Sequence, residues 1–152
     1  MSDDPHPTEA VEGASSSGSV LALDLGSARI GVAVSDPERR MAIPVGTVRT
    51  GAPQDLKAIA ALVRDHAVAL VVVGDPVNLS GASGDSSRHA AAFAEALRSV
   101  LDVPVHLFDE RLTTVEAERR LSAAGIRGRR RRKVVDQVAA TVILQSFLDR
   151  AG

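Results

Sequence analysis

Four acids stand where apolar elements end or begin, and their positions are the first sign of chemistry in this chain. Asp24 closes the apolar run 20–25, Asp75 follows 68–73, Glu110 follows 103–108, and Asp136 opens the apolar face of the last helix. An ionised carboxylate in or beside a buried run must be paired, hydrogen-bonded or bound to a cation. Carboxylates that converge repel one another unless they are protonated or bridged by cations, and an oxygen-only set suits Mg2+ or Mn2+ better than zinc. Two such ions about 3.5–4 Å apart can activate a water and stabilise the leaving oxygen in phosphodiester hydrolysis. Each acid also has an ordinary structural reading. Asp24 can cap its own turn, and Asp75, between Gly74 and Pro76, can be a loop residue. Glu110 can pair with Arg111, and both Glu110 and Asp136 can sit at a helix N-terminus, where negative charge is favoured.

The cations form a second group. Arg29 is the one basic residue near Asp24, and residues 127–133 place six cations in seven positions ahead of the last helix: Arg127, Arg129, Arg130, Arg131, Arg132 and Lys133. Such a run reads as a flexible loop, either merely solvated or holding a polyanionic substrate.

The elements that must position these residues follow from periodicity. Residues 20–25 are apolar except at Asp24, which suits a central strand covered on both faces. Gly26 to Arg29 then reads as a turn into a second, antiparallel strand, and 41–48, with Pro44 inside it, as an edge strand completing a meander. A helix over 54–66 leads to a buried strand at 68–73, and a helix over 86–101 to a short strand at 103–108. Thr113 to Glu116 is a capping box for a helix running to about residue 124. The last helix, 134–149, places Asp136, Ala139, Ala140, Ile143 and Phe147 on one face. Parallel strands joined through helices bring their C-terminal ends to one edge of the sheet, so the acids converge there.

Composition sets limits. With 152 residues, 45% of them apolar, the chain builds one core over residues 19–150. Residues 1–18 lack periodicity and are rich in Ser, Gly and Pro, which marks a disordered acidic tail. The tail holds Asp3, Asp4, Glu9 and Glu12 and no Lys or Arg, leaving eighteen basic against fifteen acidic side chains beyond it, a net of +3. There is no cysteine, so disulfides, thiolate zinc sites and a cysteine nucleophile are excluded, and a reducing cytoplasm fits. No apolar run approaches the roughly 20 residues of a membrane span, and no signal sequence opens the chain. Three Phe are the only aromatic residues, which disfavours a stacking platform and leaves nucleic-acid contact to Arg and backbone groups.

Four blocks in order make a specific pattern: Leu23-Asp-Leu-Gly-Ser-Ala-Arg-Ile-Gly-Val-Ala-Val-Ser35, Val72-Val-Gly-Asp-Pro-Val-Asn-Leu-Ser-Gly81, Asp109-Glu-Arg-Leu-Thr-Thr-Val-Glu-Ala117, and Val135-Asp136 before Ala139-Ala140. This resembles the YqgF family, also called RuvX, over about residues 19–149. The resemblance implies an α/β, ribonuclease-H-like fold of the Holliday junction resolvase type, with a five-stranded mixed sheet in the order 3-2-1-4-5 and helices on both faces. It implies a metal-dependent hydrolase, a nuclease maturing the 5′ end of pre-16S rRNA in ribosome biogenesis and rRNA processing, with related members described as cutting branched DNA. By position it assigns Asp24, Glu110 and Asp136 as catalytic, metal-binding acids for Mg2+ or Mn2+. The family commonly has an apolar residue where this chain has Asp75, which makes Asp75 a candidate additional ligand. Arg29, Arg111, Arg129 to Arg132 and Lys133 are the candidate phosphate contacts.

Other readings stay open on sequence. Asp-x-Gly-Ser with a glycine hairpin also resembles the phosphate loop of actin-like ATPases, though those close two domains on the nucleotide. A non-catalytic RNA-binding assembly factor could retain every carboxylate. A two-fold junction would call for a symmetric homodimer, whereas an rRNA precursor would not.

Overall fold

The structure, a computed structural model, describes residues 17–76, 84–109 and 128–151, with side chains described over 138–150 in the last helix. Glu110, Arg111, Arg127, the helix expected at 113–124 and nearly all of the acidic tail lie outside the described residues, as do the side chains of Asp136 and of 129–133.

The apolar run at the start becomes β1 (Ser19–Leu25), which turns through Gly26 into β2 (Arg29–Ser35) and on into β3 (Ala42–Arg49). Helix α1 (Gln54–Asp65) returns the chain to β4 (Val68–Asp75), α2 (Asp85–Arg98) leads to β5 (Val105–Asp109), and α3 (Gly128–Ala151) is last. The strands form one sheet in the order β3-β2-β1-β4-β5. The meander β1-β2-β3 is antiparallel, and β4 and β5 join parallel to β1 and to each other. This is the expected topology, and each helical crossover supplies the cover that a parallel strand needs.

Strand alternation divides the core into two layers. Leu21, Leu23, Ile30, Val32, Val71 and Val73 pack under α1 and α2 against Ile59, Ala90, Ala94 and Leu97. Val20, Ala22, Ala33, Leu70 and Val72 face the other way and are covered by Ala140, Ile143, Leu144 and Leu148 of α3. The edge strand β3 carries Pro44 where a missing N–H is harmless, with a bulge opposite Val32 and Ala33.

Local polar contacts fix the connections. The Asp36 carboxylate accepts from the N–H groups of Arg40 at 2.8 Å and Met41 at 2.7 Å. These bonds, that from Met41 foremost, hold its carboxyl below the usual range. Asp55, buried in the first turn of α1, accepts from the N–H groups of Gly51 and Leu56. The Arg98 guanidinium donates twice to the Val105 carbonyl, tying the end of α2 to the start of β5.

Two expectations change. The arginine run is not a loop before α3: the helix begins at Gly128, so Arg129 to Lys133 form its first turns. Arg and Lys are good helix formers, and continuity with the apolar part of α3 outweighs their mutual repulsion. The strand expected at 68–73 extends two residues further, carrying Asp75 into β4. Among the described residues no helix is long and apolar enough to cross a membrane.

Candidate active site

Asp24 is placed by the pleat of β1. Val20 and Ala22 point toward α3, and the period of two sets Asp24 on that same side at the C-terminal end of the strand, half-buried. The turn beyond it is tight. The N–H of Gly26 donates to the Arg29 carbonyl at 2.9 Å, and a Cβ at Gly26 would stand 2.5 Å from that oxygen, so only glycine fits. Thr50, at the end of β3, folds over the turn, its N–H donating to the Ala28 carbonyl and its hydroxyl to the Gly26 carbonyl, each at 3.1 Å.

An open cleft of about 640 Å3 lies along this edge of the sheet. Its described walls are the hairpin (Asp24 to Ser27), Thr50, Gly74 and Pro76 at the end of β4, Asp85, Ser86 and His89 on the first turns of α2, and Ala139 of α3. Volume and position match a binding cleft at the carboxyl edge of an α/β sheet. Asp136 belongs to α3 one helical turn before Ala139, and Glu110 follows directly on Asp109, the last residue of β5. Among the described residues no three His, Asp or Glu form a metal-holding group, and two of the three expected acids lie outside that set.

Asp75 takes a place other than the one expected. Leu23 pairs with Val73, so Asp24 is level with Gly74, while Asp75 shares the side of Val71 and Val73 under α2. Its carboxylate accepts a 2.6 Å hydrogen bond from the hydroxyl of Ser87, a buried residue of α2. The two acids thus occupy opposite sides of the sheet, and Asp75 does not line the cleft although both of its neighbours do. The strand-end alternation that sequence left undecided goes against a shared site for this pair.

Arg29 lies on the Asp24 side. Asp24 pairs with Gly31, which makes Arg29 its diagonal neighbour across β1 and β2, about 7–8 Å away and within reach of a long side chain. The hydroxyls of Ser27, Thr50 and Ser86 and the ring of His89 were not foreseen as part of the site. Ser27 lies within the first block but had no role assigned, Thr50 is brought in by its bonds to the turn, and Ser86 and His89, which no motif marks, come to the cleft with α2.

Three comparisons bear on this geometry. A family model described as "RuvX: Holliday junction resolvase" matches residues 18–150. A relative from Thermobifida fusca named "Putative pre-16S rRNA nuclease" is 56% identical over 137 residues, 85% of this chain and 86% of its own length. A protein of the same name from Anaeromyxobacter dehalogenans is 52% identical over 131 residues, 86% of this chain and 96% of its own length. Among solved structures, T. thermophilus RuvC in complex with a Holliday junction substrate aligns with a TM-score of 0.50 at 16% identity, over 89% of this chain and 96% of that one. That likeness is one of fold.

Proposed function

From the premise that this chain belongs to the RuvX family, a family of nucleases with a ribonuclease-H-like fold, we propose that it hydrolyses a phosphodiester bond in the 5′ maturation of pre-16S rRNA. The observation that carries the reading is the cleft at the carboxyl edge of the sheet, lined by Asp24 of β1, by the first turns of α2 and by Ala139 of α3. The names of the relatives from T. fusca and A. dehalogenans support the substrate.

Asp24, Glu110 and Asp136 are the proposed metal-binding acids. The donor set fits a hard divalent ion: it is oxygen only, the chain has no cysteine, and the described acid stands half-buried at an open cleft. When bound, Mg2+ or Mn2+ supplies Lewis acidity that activates water and stabilises the leaving oxygen. The chain's own part is to hold the scissile phosphate still and to balance its charge. Arg29, diagonal to Asp24, and Arg111 offer guanidinium donors to phosphate oxygens, and Arg129 to Lys133 add positive charge beyond the cleft at the start of α3. No side chain need act as nucleophile. The absence of cysteine suits work in a reducing cytoplasm.

The test is cleavage by Asp24→Asn and Asp136→Asn with Mn2+. Each substitution should lower the rate at least about a hundredfold, the loss of a group acting directly on the reacting centre, with melting temperature and RNA binding kept. A variant that cuts near the wild-type rate removes that acid from the site. A wild-type protein that binds the precursor tightly but never cuts it would favour an assembly factor. The description of the matching family model favours a second substrate, branched DNA. A four-way junction cut in preference to the rRNA precursor, by a protein sedimenting as a symmetric dimer, would favour that substrate.

A further inference from the structure

Arg29 and Arg49 stand directly opposite each other in the antiparallel pairing of β2 with β3. Ile30 and Val48 pair beside them and pack in the layer under α1 and α2, so alternation sets both arginines on the α3 side, the side of Asp24. An arginine straight across from another costs the sheet stability, because like charges in a cross-strand pair repel. Arg49 is exposed and has no ion-pair partner among the described residues. The residue that follows it, Thr50, lines the cleft. A Thr or Gln at position 49 would serve the strand without the repulsion, so folding gives no reason for a second arginine here. A bound polyanion would supply one.

We propose that Arg29 and Arg49 form a clamp for a backbone phosphate neighbouring the one that is cut. The inference rests on the reading of Asp24 as a catalytic acid. β3 lies two strand spacings from β1, about 10 Å, so a phosphate held between the arginines is a neighbour of the phosphate at Asp24 along the strand. Two planar guanidiniums on one face can each donate to that phosphate, and its negative charge removes their mutual repulsion. The nucleic acid then runs from the cleft across the ends of β2 and β3. Contacts of this kind position the backbone and carry no base information, so the clamp should act on RNA and DNA alike.

The experiment uses the full chain with Arg29→Gln, Arg49→Gln and both together. Binding to a pre-16S rRNA fragment and to a four-way DNA junction is followed by fluorescence anisotropy across a salt series. Each single substitution should weaken binding about three- to tenfold at low salt and reduce the slope of log K against log salt by roughly 0.7–0.9 per lost phosphate contact. A neutral methylphosphonate one position from the cut should weaken binding of the wild type more than that of Arg49→Gln, which keeps Arg29, and should leave the double variant unaffected. The free Arg49→Gln protein should melt above wild type, since a repulsive pair is gone. Unchanged affinity and slope in the double variant, or equal sensitivity of wild type and Arg49→Gln to the methylphosphonate, would overturn the clamp. Asp24→Asn separates the two ideas. Loss of cleavage there with unchanged binding by the arginine variants sinks the clamp alone, whereas full cleavage by Asp24→Asn sinks the reading of the acid, and the salt slopes still decide the clamp.

Discussion

One step of the β pleat sends two acids that look alike in sequence to opposite sides of the sheet. Asp24 and Asp75 end neighbouring parallel strands, yet Asp24 is level with Gly74 and on the α3 side, whereas Asp75 turns to Ser87 on the α2 side. A carboxylate accepting a 2.6 Å bond from a buried hydroxyl is an anchor for the first turn of α2, the same turn whose Ser86 and His89 wall the cleft. Replacing Asp75 with Leu leaves the Ser87 hydroxyl without that acceptor, which costs about 1–3 kcal/mol. The expected outcome of Asp75→Leu is therefore a lower urea midpoint with an unchanged Mn2+ titration of cleavage. A weakened metal dependence at undiminished stability would instead place Asp75 among the ligands.

Helix α3 joins two kinds of chemistry, and its start shows the conflict between them. Its first turn has no acid and carries Arg129 onward, so positive charge stands where the helix dipole is already positive. Changing Arg129 to Arg132 together to Gln should raise the melting temperature at low salt while weakening nucleic-acid binding across sequences and flattening its salt dependence. Lower stability with unaltered binding would mean that these residues serve the helix and not the ligand. The same element shows what sequence conveys. Ala139, Ala140, Ile143 and Phe147 at helical spacing mark the buried face in the sequence, and the apolar runs 20–25, 68–73 and 103–108 mark the parallel part of the mixed sheet. The arginine run reads as a loop in the sequence because charge repulsion is visible there and coupling to a packed helix is not. The position of Asp24 at the open end of the first strand is legible in the apolar run around it. The side on which Asp75 falls is not, because a strand end changes face with one residue of register. Arg49 escaped notice for a related reason: only the pairing of β2 with β3 reveals what it faces.

At the scale of the whole molecule, charge is divided along the chain. Residues 1–18 carry four acids and no Lys or Arg, and the remainder is +3, so the formal total of -1 conceals an acidic N-terminal stretch and a basic remainder. The extension joins the sheet at the edge away from the cleft, where the Gly18 N–H donates to the Pro37 carbonyl and the Arg39 side chain donates to the carbonyls of Ser17 and Gly18. From Ser19 to Asp24 is five strand residues, about 17 Å. A charge at that junction would be screened from Asp24 at physiological salt, where the Debye length is about 8 Å, but not at 0.01 M, where it is about 30 Å. Deleting residues 1–16 should thus tighten nucleic-acid binding about two- to threefold at 0.01 M salt, mainly through a faster association rate, and leave it unchanged at 0.15 M. Converting Asp3 and Asp4 to Asn and Glu9 and Glu12 to Gln in the full-length chain should reproduce the deletion, because the effect is one of charge and not of bulk. Stopped-flow association measured at both salt concentrations is the check. A deletion effect that persists at 0.15 M, or that the neutralised chain does not share, would show that the extension acts by direct contact.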